Sequence, residues 1–223
     1  MKRLVLVMAV AGALTACGGG GDGGAAAPAT PAMTFNADAA LGTALAQGVS
    51  ISGLSGRDPN LGALFTASLA FAPASDAFFD GALQKRSTQT SSVGATGVPT
   101  QTAVTQIFYA SAPARFIGST SSAGFTVFTS RGALPAAGAV GQNGAFADGV
   151  IFASSAKTTR LGTVTVTWSI EADTATTAFA CLNSVTTGSA QATEKDCFKI
   201  DATGKILGAK IALTASGINL TLQ

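Results

Sequence analysis

Histidine is absent from this 223-residue sequence, which has only one tryptophan, one tyrosine and three cysteines. Without histidine the chain cannot form a Ser-His-Asp triad or a Cys-His nucleophile pair, and a cysteine–histidine zinc site is excluded. Charged residues make up only 11% of the sequence, and no basic stripe indicates a groove for nucleic acid. We therefore expect no nucleic-acid partner.

Long apolar runs are also missing after the N-terminus, where no segment offers about 18 uninterrupted apolar residues for a transmembrane helix. The N-terminus itself combines Lys2 and Arg3 with an apolar stretch over residues 4–14. A positive segment followed by an apolar stretch of this length is typical of a secretory signal and is too short to span a membrane. The sequence therefore predicts export.

The end of this signal resembles the lipobox of bacterial lipoproteins in the run Leu14-Thr15-Ala16-Cys17. The resemblance implies that residues 1–16 are a signal peptide, cleaved before Cys17, and that Cys17 carries fatty acyl chains such as palmitate. Two or three acyl chains anchor a protein stably without a membrane-spanning segment. The alternative is an ordinary cleaved signal followed by an incidental cysteine.

Position 18 is glycine, whereas lipoproteins retained in the inner membrane often have aspartate there. The resemblance therefore implies the outer membrane, at its periplasmic face or at the cell surface. Residues 17–33 are rich in glycine, alanine and proline, which is typical of a flexible tether. Residues 34–223, roughly 190 residues, suffice for one domain with a substantial core, and we predict a single β-rich domain there.

Loss of the signal peptide also changes the charge. Removing Lys2 and Arg3 from the thirteen basic residues leaves a number equal to the eleven acidic ones. The mature chain is therefore formally neutral.

The clearest secondary-structure signal lies in residues 163–171, where even positions are apolar and odd positions are polar. Because successive side chains of a strand point to opposite faces, this alternation predicts a half-buried β-strand around Trp168. Similar segments separated by turn residues predict an antiparallel meander of five strands over residues 163–223. The predicted fold class is mainly β, an antiparallel meander that is barrel-like or sandwich-like, with one or two short N-terminal helices.

The N-terminal part of the domain gives weaker signals. Residues 36–47 predict a short helix, because Asn36 can cap its start and Gly48 can end it. Residues 75–83 predict a second short helix or helical turn. Residues 87–102 are polar and contain glycine, and this composition predicts a long loop.

The other two cysteines, Cys181 and Cys197, form an even pair that predicts a disulfide bond in an exported protein. The bond would close a polar loop predicted over residues 183–195 and contribute roughly 3 kcal/mol. A metal pair, which two cysteines alone make poorly, and free thiols are the alternatives. Phe198 is predicted to face the core, so Cys197 faces outwards and we expect the bond to be accessible.

Two resemblances suggest how the sheet closes. The segment 198–211, FKIDATGKILGAKI, resembles the closing hairpin of NTF2-like domains, in which a D-x-x-GKI turn joins two strands. This resemblance implies an alternative fold, an α+β NTF2-like cone. The glycine-rich segment after Cys17 and the β-rich body resemble transferrin-binding surface lipoproteins, which implies a β-barrel.

Acidic residues offer no clear catalytic pair. Glu171 and Asp173 lie at a predicted strand end, where solvated charges are usual, and an acid pair for glycoside chemistry is the alternative. Glu194, Lys195 and Asp196 form a charge cluster in the predicted polar loop and are interpreted as solvated. We therefore predict no catalytic residues, no metal site and no cofactor.

The aromatic residues are the remaining candidates for a ligand site. They could line a ligand cavity or form an ordinary core, and the candidates are Tyr109, Phe116, Phe128 and Trp168. The predicted function is a non-enzymatic binding or structural module of the cell envelope, anchored in the outer membrane by lipid and partnered by an envelope protein or a small apolar ligand. The alternative is a small-ligand carrier or an enzyme that uses an NTF2-like or β-barrel cavity.

Overall fold

A computed structural model describes residues 33–59, 62–95, 97–188, 191–215 and 218–223, and they belong to one compact unit. The predicted signal peptide, the lipobox with Cys17, and the tether up to residue 32 lie outside the described residues. In the described ranges, no helix has the length and apolar character needed to cross a membrane.

Strands make up most of the described chain, with one helix near its start. In chain order the elements are β1 (Thr34–Phe35), α1 (Ala37–Gln47), β2 (Val49–Arg57), β3 (Leu64–Phe71), β4 (Ser75–Phe79), β5 (Ala82–Ala95), β6 (Val98–Ala110), β7 (Arg115–Ser121), β8 (Gly124–Arg131), β9 (Gly138–Ala139), β10 (Asn143–Phe152), β11 (Arg160–Ala172), β12 (Thr177–Gly188), β13 (Ala192–Asp201), β14 (Ile206–Ala215) and β15 (Ile218–Leu222).

One large antiparallel sheet contains thirteen of these strands. Its order runs from β15 through β14, β13, β12, β11, β10, β8, β7, β6, β5 and β3 to β2, while the short β4 pairs with β5. Strands β1 and β9 pair separately. Neighbours in the sheet are therefore almost always neighbours in the sequence, as in a meander.

The first and last strands of the sheet meet. The backbone N–H of Ser55 donates to the carbonyl of Gln223, and the N–H of Gln223 donates back to Ser55, each at 3.2 Å. Glycine at position 56 permits this approach, because a Cβ there would overlap the carbonyl of Thr221. The sheet is thus nearly closed and barrel-like, which confirms the predicted fold class. The described residues do not form the alternative NTF2-like cone.

Helix α1 closes one end of the barrel. Asn36 caps it by accepting a 2.9 Å hydrogen bond from the Ala39 N–H, and Gly48 ends it with a φ of 79°. This confirms the helix predicted over residues 36–47. The helix lies against the chain connections at this end, since the Asn36 N–H donates to Ala202 and the Ala37 N–H donates to Pro135.

The hydrophobic core fills the barrel next to α1. Leu41 and Leu45 of the helix are buried there. Inward-facing side chains from the strands surround them, among them Leu69, Tyr109, Phe146, Val166, Ile170, Ile200, Ile211 and Leu222. Trp168 packs against this core while remaining partly exposed, and its indole covers Gly144 on the neighbouring strand β10.

The helix predicted over residues 75–83 is wrong, because this segment forms β4, a tight turn and the start of β5. Asp80 and Gly81 have positive φ values of 50° and 84° and make the turn. Phe79 then stacks on Phe108 and Phe125, outside the main core. Long-range stacking therefore selects the strand over the locally plausible helix.

The long loop predicted over residues 87–102 is also wrong. These residues form most of the β5–β6 hairpin, with Thr90 opposite Val104 and Ser92 opposite Thr102. Serine and threonine adopt strand geometry readily when both faces of the strand can be polar. The segment lacks apolar alternation because its inward residues, such as Gln89 and Ser91, are polar and line a cavity in the barrel interior.

The five-stranded meander predicted over residues 163–223 is confirmed as β11 to β15. The polar loop predicted over residues 183–195 is wrong, because β12 continues to Gly188 and β13 begins at Ala192. Two strands that were predicted to end near the cysteines therefore extend well beyond them.

Candidate functional site

A cavity of about 340 Å³ occupies the barrel interior beyond the core. Its walls are inward-facing residues of β5 to β8 and β10 to β13, and Ala123, in the β7–β8 turn, lies at its edge. That turn is at the opposite end of the barrel from α1, because the connections of a meander alternate between the two ends. The helix therefore closes the end of the barrel that we call its base. The cavity lies towards the opposite end, which we call the mouth of the barrel.

The inward faces of single strands change from apolar at the base to polar towards the mouth. On β12, Ala178 and Ala180 belong to the core, whereas Ser184 and Thr186 line the cavity. The remaining polar wall comes from hydroxyl and amide side chains on other strands, including Gln89, Ser91, Thr105, Ser119 and Thr126. The apolar wall is formed mainly by Phe116, Phe128, Ile151, Val164 and Val166.

Two acidic residues of β13, Glu194 and Asp196, also line this cavity. They share the inward face of the strand with Phe198 and Ile200, which pack in the core. Lys195 lies between them in sequence and points to the outer face, where its Nζ contacts Glu171 at 2.6 Å. The segment interpreted as a solvated loop is therefore a strand that directs two carboxylates into the barrel, and that interpretation is wrong.

The carboxylate of Asp196 is enclosed by protein, and the surface that the residue retains faces the cavity. Burial raises the pKa of Asp196 to about 8, the negative charge of Glu194 adds to the rise, and a hydrogen bond from Gln89 opposes it. Burial also raises the pKa of Glu194. The Oδ1 atom of Asp196 is buried with no hydrogen-bond partner. An unpaired polar atom in such a place costs about 1–3 kcal/mol.

The aromatic candidates divide into two groups. Phe116 and Phe128 line the cavity, with their ring centroids 5.8 Å apart. Tyr109 is only 2% exposed and belongs to the core, as does the partly buried Trp168. Neither of these two residues is part of the cavity wall.

The acids and Gln89 are the site residues that the sequence analysis missed. One signal was present, because Glu194 and Asp196 have the same parity as Phe198 and Ile200, which were expected to face the core. Extending the strand alternation backwards from Phe198 would have placed both acids inside the barrel.

Cys181 and Cys197 form the predicted disulfide bond. They lie directly opposite each other on β12 and β13, with Cα atoms 3.9 Å apart. The bond is on the outer face, as expected, but the expectation that it is accessible is wrong. Each cysteine is 1% exposed because Phe179 packs against the pair, and the Lys210 ammonium lies 4.4 Å from the centre of the Phe179 ring.

Glu171 and Asp173 lie on the same outer face and pair with lysines. Glu171 contacts Lys195 at 2.6 Å and Lys210 at 2.8 Å, and Asp173 contacts Lys199 at 2.8 Å. Burial opposes the ionisation of Glu171, but the two lysines outweigh it and hold its pKa below the ordinary value. Hydrogen bonds, first from Lys199, lower the pKa of Asp173.

One group of potential metal ligands stands out in the described part of the chain. Ligand atoms of Glu171, Cys181 and Cys197 lie within 4.8 Å of one another. Both sulfurs are joined in the disulfide bond, so neither is a thiolate ligand. This group is therefore better explained as a disulfide packed beside an ion pair.

Comparisons with protein-family models, with curated proteins and with solved structures found no match for this chain. The functional argument therefore rests on the cavity and its carboxylates.

Proposed function

We propose that this chain is a small-ligand-binding lipoprotein of the bacterial outer membrane, and that its ligand occupies the barrel cavity. One observation carries the proposal: the barrel interior contains a cavity of about 340 Å³ whose lining includes Asp196, an acid with a buried carboxylate oxygen that has no partner. Cavities that hold small molecules typically have about 300–1,000 Å³ and combine apolar walls with a few convergent polar groups.

This cavity favours the carrier function over a purely structural module. A structural barrel is expected to fill its interior with packed side chains, because voids and unpaired buried polar groups both destabilise a fold. Here Glu194 and Asp196 occupy positions that apolar residues fill elsewhere on the same strand. Acids at these positions lower the stability of the fold. Ligand binding would explain why the sequence nevertheless has them.

The anchoring part of the proposal rests on the sequence of the N-terminus. The resemblance of residues 14–17 to a lipobox supports acyl chains on Cys17, and the glycine-, alanine- and proline-rich composition of the residues that follow suits a flexible tether. A carrier in this position would meet its ligand at the membrane surface.

Native mass spectrometry of the full chain, released in detergent from the membranes of the producing cells, tests the carrier function. We expect a stoichiometric added mass below that of a polypeptide, beyond the mass of any acyl chains on Cys17 and lost when the protein is denatured. The variant Ser184→Trp, which fills the cavity from β12, should lose this mass. Its neighbour Val185→Trp is the matched control, because Val185 is 44% exposed and points outwards.

A wild-type chain without added mass, which also fails to bind any compound of a fragment library at millimolar concentration, would overturn the carrier function. Equal retention of the ligand by both tryptophan variants would place the binding site outside the barrel, and this outcome would overturn the cavity assignment.

A further inference from the structure

We propose that the ligand of this cavity is a small organic cation, with an ammonium or guanidinium group bound by Asp196 and Glu194 and a compact apolar body held by the apolar part of the cavity wall. This inference rests on the proposed function and specifies the chemical class of its ligand.

The first argument is the uncompensated acidity of the cavity. Its lining contains two acidic side chains and no lysine or arginine. None of the ion pairs formed by the described residues involves Glu194 or Asp196, and the nearby Lys195 is committed to Glu171 on the outer face. Burying a carboxylate without a positively charged partner costs free energy. A bound cation would supply this partner, which the cavity lining does not provide.

The second argument is the way in which the acid is held. Gln89, on β5, lines the cavity together with Asp196, and hydrogen bonding from its amide lowers the pKa of that acid. The Oδ1 atom of the Asp196 carboxylate is buried and has no hydrogen-bond partner. The protein therefore leaves this cavity-lining carboxylate incompletely paired, and such an acceptor suits a charge-assisted hydrogen bond from an ammonium or guanidinium N–H.

The third argument separates an organic cation from a metal ion. A calcium ion takes six to eight oxygen ligands in a compact shell, whereas the two carboxylates and the hydroxyl groups of this cavity are spread over strands β5 to β8, β12 and β13. A volume of about 340 Å³ is far larger than one ion needs. The wall formed by Phe116, Phe128 and Val164 would remain unused by a metal but would bury a hydrocarbon or aromatic body.

Proton linkage follows from this arrangement. Without a bound cation, burial and the neighbouring Glu194 raise the pKa of Asp196 to about 8, so the acid pair holds a proton at neutral pH. Gln89, the hydrogen-bonding group that faces Asp196 from the other side, is neutral. A bound cation favours the ionised carboxylate, so binding releases up to one proton and strengthens as the pH rises from about 6 to 8.

Isothermal titration calorimetry with the detergent-solubilised full chain tests the ligand class. The probes are benzylamine, its neutral counterpart benzyl alcohol, the anion benzoate, and calcium chloride. We expect benzylamine to bind at one site per chain, and benzyl alcohol and benzoate to bind at least roughly tenfold more weakly, because a charged hydrogen bond contributes about 1.5–3 kcal/mol. Titrations in buffers of different ionisation enthalpy should reveal the released proton.

Two variants and a matched control connect the charge preference to the cavity acids. Asp196→Asn and Glu194→Gln should each weaken benzylamine binding roughly tenfold or more without changing the binding of benzyl alcohol. Asp76→Asn is the matched control, because the Asp76 side chain is 56% exposed and pairs with Lys85 on the surface. Near-ultraviolet circular dichroism confirms that each variant is folded.

The outcomes distinguish this inference from the carrier function. If benzyl alcohol or benzoate binds as well as benzylamine, and Ser184→Trp blocks it, the cationic ligand class is wrong while the cavity function stands. If calcium binds in place of the amine, the organic class is wrong. If no probe binds and the isolated chain carries no added mass, both proposals fail.

Discussion

Gln89 and Asp196 line the same cavity, and hydrogen bonding from Gln89 lowers the pKa of Asp196, although their strands β5 and β13 are far apart in the sheet. The two residues belong to the hairpins that the sequence analysis had interpreted as polar loops, β5–β6 and β12–β13. Phe71 and Phe198 make a second contact across the interior, with ring centroids 5.8 Å apart. Residues of distant strands therefore contact each other across the barrel interior, at the level where the core ends and the cavity begins.

Gln89→Leu should raise the pKa of Asp196 above its value of about 8, because the hydrogen bond from Gln89 lowers that pKa. The variant should also lose about 1–3 kcal/mol of unfolding free energy, since a buried acid loses its partner. Carboxyl-carbon NMR titration measures the pKa. Gln101→Leu, on an exposed part of β6, is the control and should change neither quantity.

The pH dependence of stability should reveal the buried acid. Between its ordinary pKa of 3.8 and its folded value of about 8, Asp196 holds a proton in the folded state that the unfolded chain has released. The folded state therefore binds more protons in this window, and its stability falls as the pH rises through it. The Asp196→Asn variant has no titrating carboxyl group at this position, so its stability does not fall for this reason. The unfolding free energy of the variant minus that of the wild type should therefore increase from pH 5 to pH 8.

Urea unfolding of both proteins at several pH values measures this difference. Glu171 and Asp173, whose pKa values are lowered, affect stability at acidic pH equally in both proteins. Their effects therefore cancel in the difference between the two unfolding free energies. A difference between Asp196→Asn and wild type that stays constant from pH 5 to pH 8 would contradict the raised pKa.

Trp168→Ala should reduce the unfolding free energy by about 3 kcal/mol, because it removes a large aromatic side chain from the core surface. It also uncovers Gly144, over which the indole packs. Circular dichroism during chemical denaturation measures the change. Val185→Ala, at an exposed position on β12, should change stability by less than about 0.5 kcal/mol. A similar small effect for Trp168→Ala would show that the indole contributes little packing.

The disulfide bond should resist reduction in the folded protein. Cys181 and Cys197 are each 1% exposed beneath Phe179, so a reductant reaches them only after local or global opening. We expect no free thiol in these two residues under native conditions, even with millimolar dithiothreitol, and two thiols in denaturant with the same reductant. The double variant Cys181→Ala, Cys197→Ala should lose roughly 3 kcal/mol and keep its sheet. Rapid native-state reduction would contradict the observed packing.

Cys17→Ser should release the protein from membranes, because the proposed acyl anchor requires the cysteine. Fractionation of the producing cells followed by a carbonate wash measures the effect. A variant that stays in the washed membrane fraction would show that the anchor lies elsewhere.

Local sequence determined much of the fold. The strand around Trp168 was predictable because its inward residues pack against an apolar core and its outward residues meet water, so its alternation is visible. Helix α1 was predictable because Asn36 and Gly48 are adjacent to the backbone groups that they cap. The Cys181–Cys197 pair was predictable because the neighbouring strands of a hairpin bring such residues together.

Only the tertiary structure decided the closure of the barrel and the location of the site. Ser184, Thr186 and Glu194 face the barrel interior and are nevertheless polar, because that part of the interior is a cavity. The strand alternation is therefore hidden, and polar strands look like loops. The pairings of Ser55 with Gln223 and of Gln89 with Asp196 join residues that are distant in sequence. Such contacts depend on the register and curvature of the whole sheet, which no local pattern encodes.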